Sequence, residues 1–371
     1  MDMFKVLRED ASHIRDAASK FNGCEKILVI GTGGSSLGGK CLVNFEALYS
    51  GNPSKVIFLE NVDSRHFMNV INSCDKSKTG IVVISKSGKT TETLMLFASL
   101  CELWGDFDYA NRAIAITEIS ETSALMKIAK SKNMTVLEHN PNIGGRFSVF
   151  SVVGLLPALL GEVDIEIFID GARTLINRVA NANSPSECHE ITNVADMYRV
   201  IESKKINIHV VMAYSDLLED YCKWYIQLIS ESLGKSESFG ITPVIAKGTV
   251  DQHSMLQLFL GGPPDKAFTV ITQRRNDDTV QVRNNLLNNL NGHNIRDLML
   301  SHQRATIDAL KEKAFVRVLE FDEVNMWTLG YLMALSFVEV IVIAKLAGVN
   351  PFDQPAVEAS KRLAMRYLDE L

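Results

Sequence analysis

Lys26-Ile-Leu-Val-Ile-Gly31, continuing as Thr-Gly-Gly-Ser-Ser-Leu-Gly-Gly39, reads as a short buried strand that empties into a glycine-rich turn. A run of apolar, β-branched residues without alternation fits a strand covered on both faces, as in a parallel sheet flanked by helices. Glycines at the end of such a strand let the backbone approach a ligand, and the N-terminus of a following helix offers free N–H groups to an anion. Two nucleotide motifs nearly fit, and both fail. G-x-G-x-x-G needs glycine where Ser36 stands, and G-x-x-x-x-G-K-[ST] runs from Gly34 to Lys40 but then meets Cys41, which has no hydroxyl for magnesium. A tight turn without a ligand remains the alternative reading of this segment.

Outward from this stretch the pattern repeats. Strands are expected at 26–31, 55–60, 80–85, 112–117 and 134–139, with helical stretches between them, for example 90–104 and 122–131. The polar run NANSPSE at 181–187 reads as a connection. Beyond it, strands at 206–213, 241–246, 267–272 and 315–321 alternate with helices near 188–203, 217–232, 295–313 and 325–347. The expected fold class is α/β, with two domains, each a parallel sheet flanked by helices. The first covers 1–180 with an N-terminal helix, the second 181–349, and a C-terminal helix lies within 350–371. A length of 371 residues suits two such cores.

Composition narrows the partners. Hydrophobic residues are 46% and charged ones 22% of the chain, and the formal net charge of -6 leaves no basic footprint for nucleic acid or an anionic membrane. An anionic ligand must therefore be held by a local site. Six scattered cysteines without a C-x-x-C pair read as reduced thiols, and Cys188 beside His189 is too little for a metal centre. The first residues, MDMFKVLREDASHIRDAASKF, lack the apolar core of a signal peptide, so a cytoplasmic protein is expected. The long apolar stretch 326–349 is interrupted by Glu339 and Lys345 and is read as a buried helix, with no membrane partner.

Five further segments carry chemistry. Ser85-Lys-Ser-Gly-Lys-Thr-Thr-Glu-Thr93 follows the third strand, and its hydroxyls, flexible Gly88 and following helix suit a monophosphate held without metal. In Gly144-Gly-Arg146-Phe-Ser148 an arginine fixed behind two glycines is suited to face a developing oxyanion, because it keeps its charge. Gln227 and Glu231 are four apart on a helix and share a face. Glu231 opens Glu-Ser-Leu-Gly-Lys235 near the unfavourable pole of the helix dipole, a setting that suits a base. His253 lies in the loop Gly248-Thr-Val-Asp-Gln-His253, where sites usually lie. Gln354, Glu358 and Lys361 are spaced as one polar stripe on the C-terminal helix. For each, an ordinary cap or solvated side chain is the competing reading.

The order of these segments is more telling than any one of them. GTGGSSLGG, SKSGKTTET, GGRFS, Q-x-x-x-ESLGK, GTVDQHSMLQ and NPFDQPAVEASK, running from Gly31 to Lys361, together resemble the glucose-6-phosphate isomerase family in a short bacterial form. The resemblance implies two sugar-isomerase domains and interconversion of glucose 6-phosphate and fructose 6-phosphate through a cis-enediol(ate). It also implies the roles. Gly34, Ser35, Ser85, Lys86, Ser87 and Thr90 would hold the sugar and its phosphate, with Gln227 and Gln354 as further contacts. His253 and Lys361 would open the ring, Glu231 would move a proton between carbons 2 and 1, and Arg146 would stabilise the enediolate. In the family the histidine comes from the neighbouring subunit, which implies a homodimer with His253 shared across the interface. No nicotinamide, flavin or metal is called for. The chain departs from the family at Ser36, where many relatives carry Asp, at Leu233, where many carry Asn, and at Asp251, where glycine is common. A dual phosphoglucose/phosphomannose isomerase and a non-catalytic sugar-phosphate-binding regulator stay open as alternatives.

Overall fold

A computed structural model describes residues 1–237, 239–274, 280–283 and 288–371. Five parallel strands, β1 (Lys26–Ile30), β2 (Val56–Leu59), β3 (Thr79–Ile84), β4 (Ala113–Thr117) and β5 (Thr135–Glu138), form a sheet in the order β2-β1-β3-β4-β5. Four more, β6 (Ile208–Ala213), β7 (Thr242–Lys247), β8 (Lys266–Gln273) and β9 (Phe315–Phe321), form a second parallel sheet in the order β7-β6-β8-β9. Ile27, Leu28, Val29 and Ile30 are all fully buried, as their unbroken apolar run requires of a strand with helices on both faces. In each sheet the chain runs from the first strand to one side and then crosses to the other. A crevice therefore opens beyond the carboxyl ends of β1 and β3, and another beyond β6 and β8.

The helices that matter for the site pack between the sheets. Those at Leu37–Ser50, Val152–Leu160, Ile165–Asn181, Glu219–Leu233 and Met326–Ala347 contribute to one apolar core that also takes in residues of both sheets, from Ile27 and Val82 to Val211 and Ile271. The closest crossing is between Ile165–Asn181 and Met326–Ala347. A Cβ on Gly330 would lie 1.9 Å from the carbonyl oxygen of Phe168, and one on Gly171 would lie 2.0 Å from that of Trp327. Only glycine lets these backbones touch.

The apolar helix Met326–Ala347 is long enough to cross a membrane, but 78% of its most hydrophobic window is buried inside the protein. Glu339, which interrupts it, is 2% exposed and pairs with Arg317 of β9 at 2.8 Å. The six cysteines are free. Two expectations shift. The helix before the polar run continues to Asn181, and a single turn at Pro185–Glu187 follows before the next helix begins at His189. At the C-terminus, Pro355–Val357 form a separate tight turn, and the helix proper is Glu358–Asp369, exposed along its whole length.

Candidate active site

The glycine-rich turn Gly33–Ser35 is pressed against a second backbone. A Cβ on Gly34 would lie 2.2 Å from the carbonyl carbon of Gly145, so the two turns meet this closely only because Gly34 lacks a side chain. The Ser148 hydroxyl lies 3.2 Å from the carbonyl of Gly34 and 2.6 Å from that of Gly145, stitching the contact from below.

That contact delivers Arg146 to the crevice. The guanidinium is 2% exposed, and each of its edges is engaged. Nε donates to Ser232 Oγ at 2.8 Å. Nη1 donates to Glu231 Oε2 at 3.1 Å and to Gln354 Oε1 at 2.8 Å. Nη2 donates to the carbonyl of Asp353 at 2.9 Å and to that of Pro351. Burial pulls the Arg146 pKa below its ordinary value, and the Glu231 carboxylate beside it acts in the opposite direction. An arginine remains charged under that balance, so a buried, fixed cation stands against a carboxylate that is itself partly open to solvent.

Glu231 and Gln227 sit one turn apart on the Glu219–Leu233 helix, and Gln227 Nε2 donates to Glu231 Oε1 at 3.0 Å. The same amide nitrogen is 2.9 Å from where a Cβ on Gly33 would stand, so Gln227 lies over the glycine-rich turn. Its Oε1 is buried and has no donor among the described residues. A sugar hydroxyl is the kind of group that satisfies such an acceptor.

The second turn shares the crevice. A Cβ on Gly31 would lie 3.1 Å from the carbonyl oxygen of Ile84 and 3.0 Å from that of Ser35, so the ends of β1 and β3 are in contact where the strand order reverses. Ser85 is buried next to Ile84, with its Oγ 2.9 Å from Thr90 Oγ1, and Thr90 is the N-cap residue of the Thr91–Leu103 helix. The two hydroxyls therefore stand in front of a helix N-terminus, the pole that favours an anion. Ser87 is exposed and accepts from the Lys89 amide at 3.2 Å. The Lys86 ammonium is directed elsewhere, to the Pro141 carbonyl at 2.8 Å and Glu118 at 3.6 Å, so its side chain is already engaged away from the hydroxyl pair.

The structure thus brings Arg146, Glu231, Gln227, Gln354, Gly34 and Ser35 together, with Ser85 and Thr90 reached through the Gly31–Ser35 turn. It corrects the expected polar stripe. Gln354 precedes the C-terminal helix in a non-helical conformation and turns inward to Arg146, whereas Lys361 is exposed and bonded to Glu358 at 2.7 Å. His253 lies at the end of the Val250–His253 turn, exposed, away from the Arg146 cluster's hydrogen bonds. Several contributors escaped sequence reasoning. Ser232 and Ser148 position Arg146 and its turn, and Lys235 and Asp353 tie the Asn350–Gln354 segment to it. Thr93 carries a buried hydroxyl without a partner among the described residues. The signal for Ser232 and Lys235 is present in the Glu-Ser-Leu-Gly-Lys string, but only contact assigns them a task.

Comparison with known proteins adds an independent line. The family model described as phosphoglucose isomerase matches residues 6–371. A glucose-6-phosphate isomerase of Rubrobacter xylanophilus is 34% identical over 362 residues, covering 92% of this chain and 82% of that protein. The crystal structure of a hypothetical protein from Thermus thermophilus superposes with a TM-score of 0.89 at 28% identity, over 99% of this chain and 90% of that one. A glucose-6-phosphate isomerase from Chlamydia trachomatis gives a TM-score of 0.79 at 22% identity, over 97% and 72% of the two chains, which speaks to the fold alone.

Proposed function

The chain belongs to the phosphoglucose isomerase family, and from that premise we propose that it interconverts glucose 6-phosphate and fructose 6-phosphate, as a soluble cytoplasmic homodimer. The phosphate is taken by the Ser85 and Thr90 hydroxyls at the start of the Thr91–Leu103 helix. The sugar chain extends from there across the Gly33–Ser35 turn, where Gln227 Oε1 accepts from a hydroxyl. Glu231 removes the proton from carbon 2 of the open aldose and returns it to carbon 1. Arg146 balances the negative charge that the enediolate carries between those two events. Ring opening falls to His253, supplied by the partner chain, and to Lys361. Electrons only shift along the carbon chain: the proton taken from carbon 2 is matched by one given to carbon 1, the hydroxyl proton of the carbon 2 oxygen is matched by one gained by the carbon 1 oxygen, and the reaction balances without a co-substrate.

The observation that carries this reading is the contact of Arg146 Nη1 with Glu231 Oε2 at 3.1 Å beside an unsatisfied Gln227 oxygen. A regulator that only bound sugar phosphates would need the hydroxyl cradle but not a carboxylate base against a buried cation. Replacing Glu231→Gln is expected to lower kcat by about 10²- to 10⁴-fold, the usual worth of a general base, while binding of a hexose phosphate persists. The measurement is a coupled assay with fructose 6-phosphate, with mannose 6-phosphate run alongside. An unimpaired Glu231→Gln protein removes Glu231 from the mechanism, and a folded wild type that turns over neither sugar is a regulator.

A further inference from the structure

A guanidinium has five N–H donors, and all five of those on Arg146 already have acceptors. An oxyanion can therefore bond to this residue only by displacing one of them. The five acceptors are not equivalent. Ser232 Oγ on Nε is fully buried. The carbonyls of Pro351 and Asp353 on Nη2 are main-chain groups of a single segment. Glu231 and Gln354 on Nη1 are flexible side chains. Which edge gives way depends on what holds the Asn350–Gln354 segment in place.

Lys235 holds it. Its side chain is 9% exposed, and its Nζ donates both to the Asp353 carbonyl that Arg146 uses and to Asp353 Oδ1 at 2.9 Å. Asp353 Oδ2 accepts from Asn350 Nδ2 at 2.9 Å, closing the segment on itself. One peptide carbonyl is thus shared by two cations, and the Asp353 carboxylate is turned towards Lys235. The Lys235 ammonium, with Arg146 further off, keeps that carboxyl below its usual range.

We propose that Lys235 is a positioning residue for the isomerisation: by clamping Asp353 it locks the Nη2 edge of Arg146 onto main-chain carbonyls and leaves the Nη1 edge, facing Glu231, as the one that exchanges acceptors with the substrate. This rests on the reading of Glu231 as base and Arg146 as the enediolate's counter-charge. Without Lys235 the Asp353 carboxylate is free to turn onto the guanidinium and compete with the enediolate. The loss falls on the chemical step, because the phosphate cradle at Ser85 and Thr90 belongs to the other sheet.

The test is steady-state kinetics on Lys235→Met, Lys235→Arg and the double variant Lys235→Met with Asp353→Asn. Binding of an open-chain hexitol 6-phosphate, which cannot isomerise, is measured by calorimetry on each. Expected for Lys235→Met is a fall in kcat on the order of ten- to a hundredfold, as misplacement of a catalytic group costs, with KM and hexitol phosphate affinity little changed. Lys235→Arg restores much of the rate by returning the cation, and the double variant recovers part of it by removing the competing charge. Wild-type kcat in Lys235→Met overturns the proposal. So does a loss of kcat accompanied by equal loss of hexitol phosphate binding, which makes Lys235 a structural residue only. The underlying reading is tested separately by Glu231→Gln: an inactive Glu231→Gln beside a fully active Lys235→Met removes the role of Lys235 alone.

Discussion

At Ser85 and Thr90 two hydroxyls 2.9 Å apart face the start of a helix, and neither side chain carries charge. A phosphate held there keeps its full charge, stabilised by hydroxyl and amide donors and by the helix dipole rather than by a neutralising ion pair. Lys86 could have supplied such a pair from its place in the sequence, but it spends its ammonium on Pro141 and Glu118. Removing both hydroxyls, Ser85→Ala with Thr90→Ala, is therefore expected to act on binding. KM for fructose 6-phosphate should rise by more than kcat falls, because the phosphate contact is the same in the ground and transition states. Steady-state kinetics decide it, and an unchanged KM would move the phosphate elsewhere. The residue types at this turn were readable in advance, although the same serine and threonine pattern also suits an ordinary helix cap. The direction of the Lys86 side chain was not, because it is set by β4 and by residue 141, far along the chain. The same holds for Gln354: spacing put it on a helix face, whereas the buried Arg146 draws it inward before the helix begins.

The Glu219–Leu233 helix is fixed on its other side by a buried polar group. Tyr225 donates to Glu339 Oε1 and lies 3.3 Å from His209 Nδ1. Arg317 donates to Glu339 Oε2 at 2.8 Å and to Thr269 at 3.1 Å, and His209 Nε2 is 2.8 Å from Thr269 Oγ1. These residues come from β6, β8, β9 and two helices, so the network sets how the helix bearing Gln227 and Glu231 lies on the second sheet. Strands and helices were legible to within a few residues because hydrophobic period fixes them locally. The network was not, because its members are spread over more than a hundred positions and look individually like strand polarity or, for Glu339, like a break in an apolar run. It also makes stability depend on pH. Burial pushes the pKa of His209 down to about 4, with Arg317 adding to the shift and Glu339 opposing it. His139, also buried, is pushed to about 4 mainly by desolvation. In the unfolded chain a histidine takes its proton near pH 6.5, so below that pH the unfolded state binds more protons and stability falls as pH falls, by roughly 3 kcal/mol at most per histidine on reaching pH 4. Glu339, held below its usual range, adds its loss only at the acid end of that window, below about pH 4.5. Melting temperature should accordingly drop between pH 6.5 and 4.5, and His209→Gln should flatten that slope relative to wild type. An unchanged slope in the variant would show that His209 takes up no extra proton on unfolding.

On the scale of the whole molecule, the chain supplies one complete cluster and two outliers. Arg146, Glu231, Gln227 and Gln354 meet within a single chain, while His253 is exposed on its turn and Lys361 is exposed on a helix whose residues all face solvent. The order of motifs along the sequence named these residues but not their distances, since order carries no geometry. A site shared between two chains, as proposed for His253, has a consequence that no single variant displays. Chains carrying His253→Ala keep their own Glu231, and chains carrying Glu231→Gln keep a histidine to donate. If His253 serves the neighbouring chain, a two-fold dimer of one variant alone has both sites damaged, but a mixed dimer has one site built from the intact Glu231 of one chain and the intact His253 of the other. Random exchange makes half of the dimers mixed, with one sound site in two, so about a quarter of wild-type activity should return when the two inactive variants are denatured and refolded together. Activity is compared with that of each variant refolded alone at the same total concentration. Recovery near that fraction requires a site assembled across the dimer, whereas a mixture no more active than its parts would place His253 with its own chain's Glu231 and leave the dimer without a part in the chemistry.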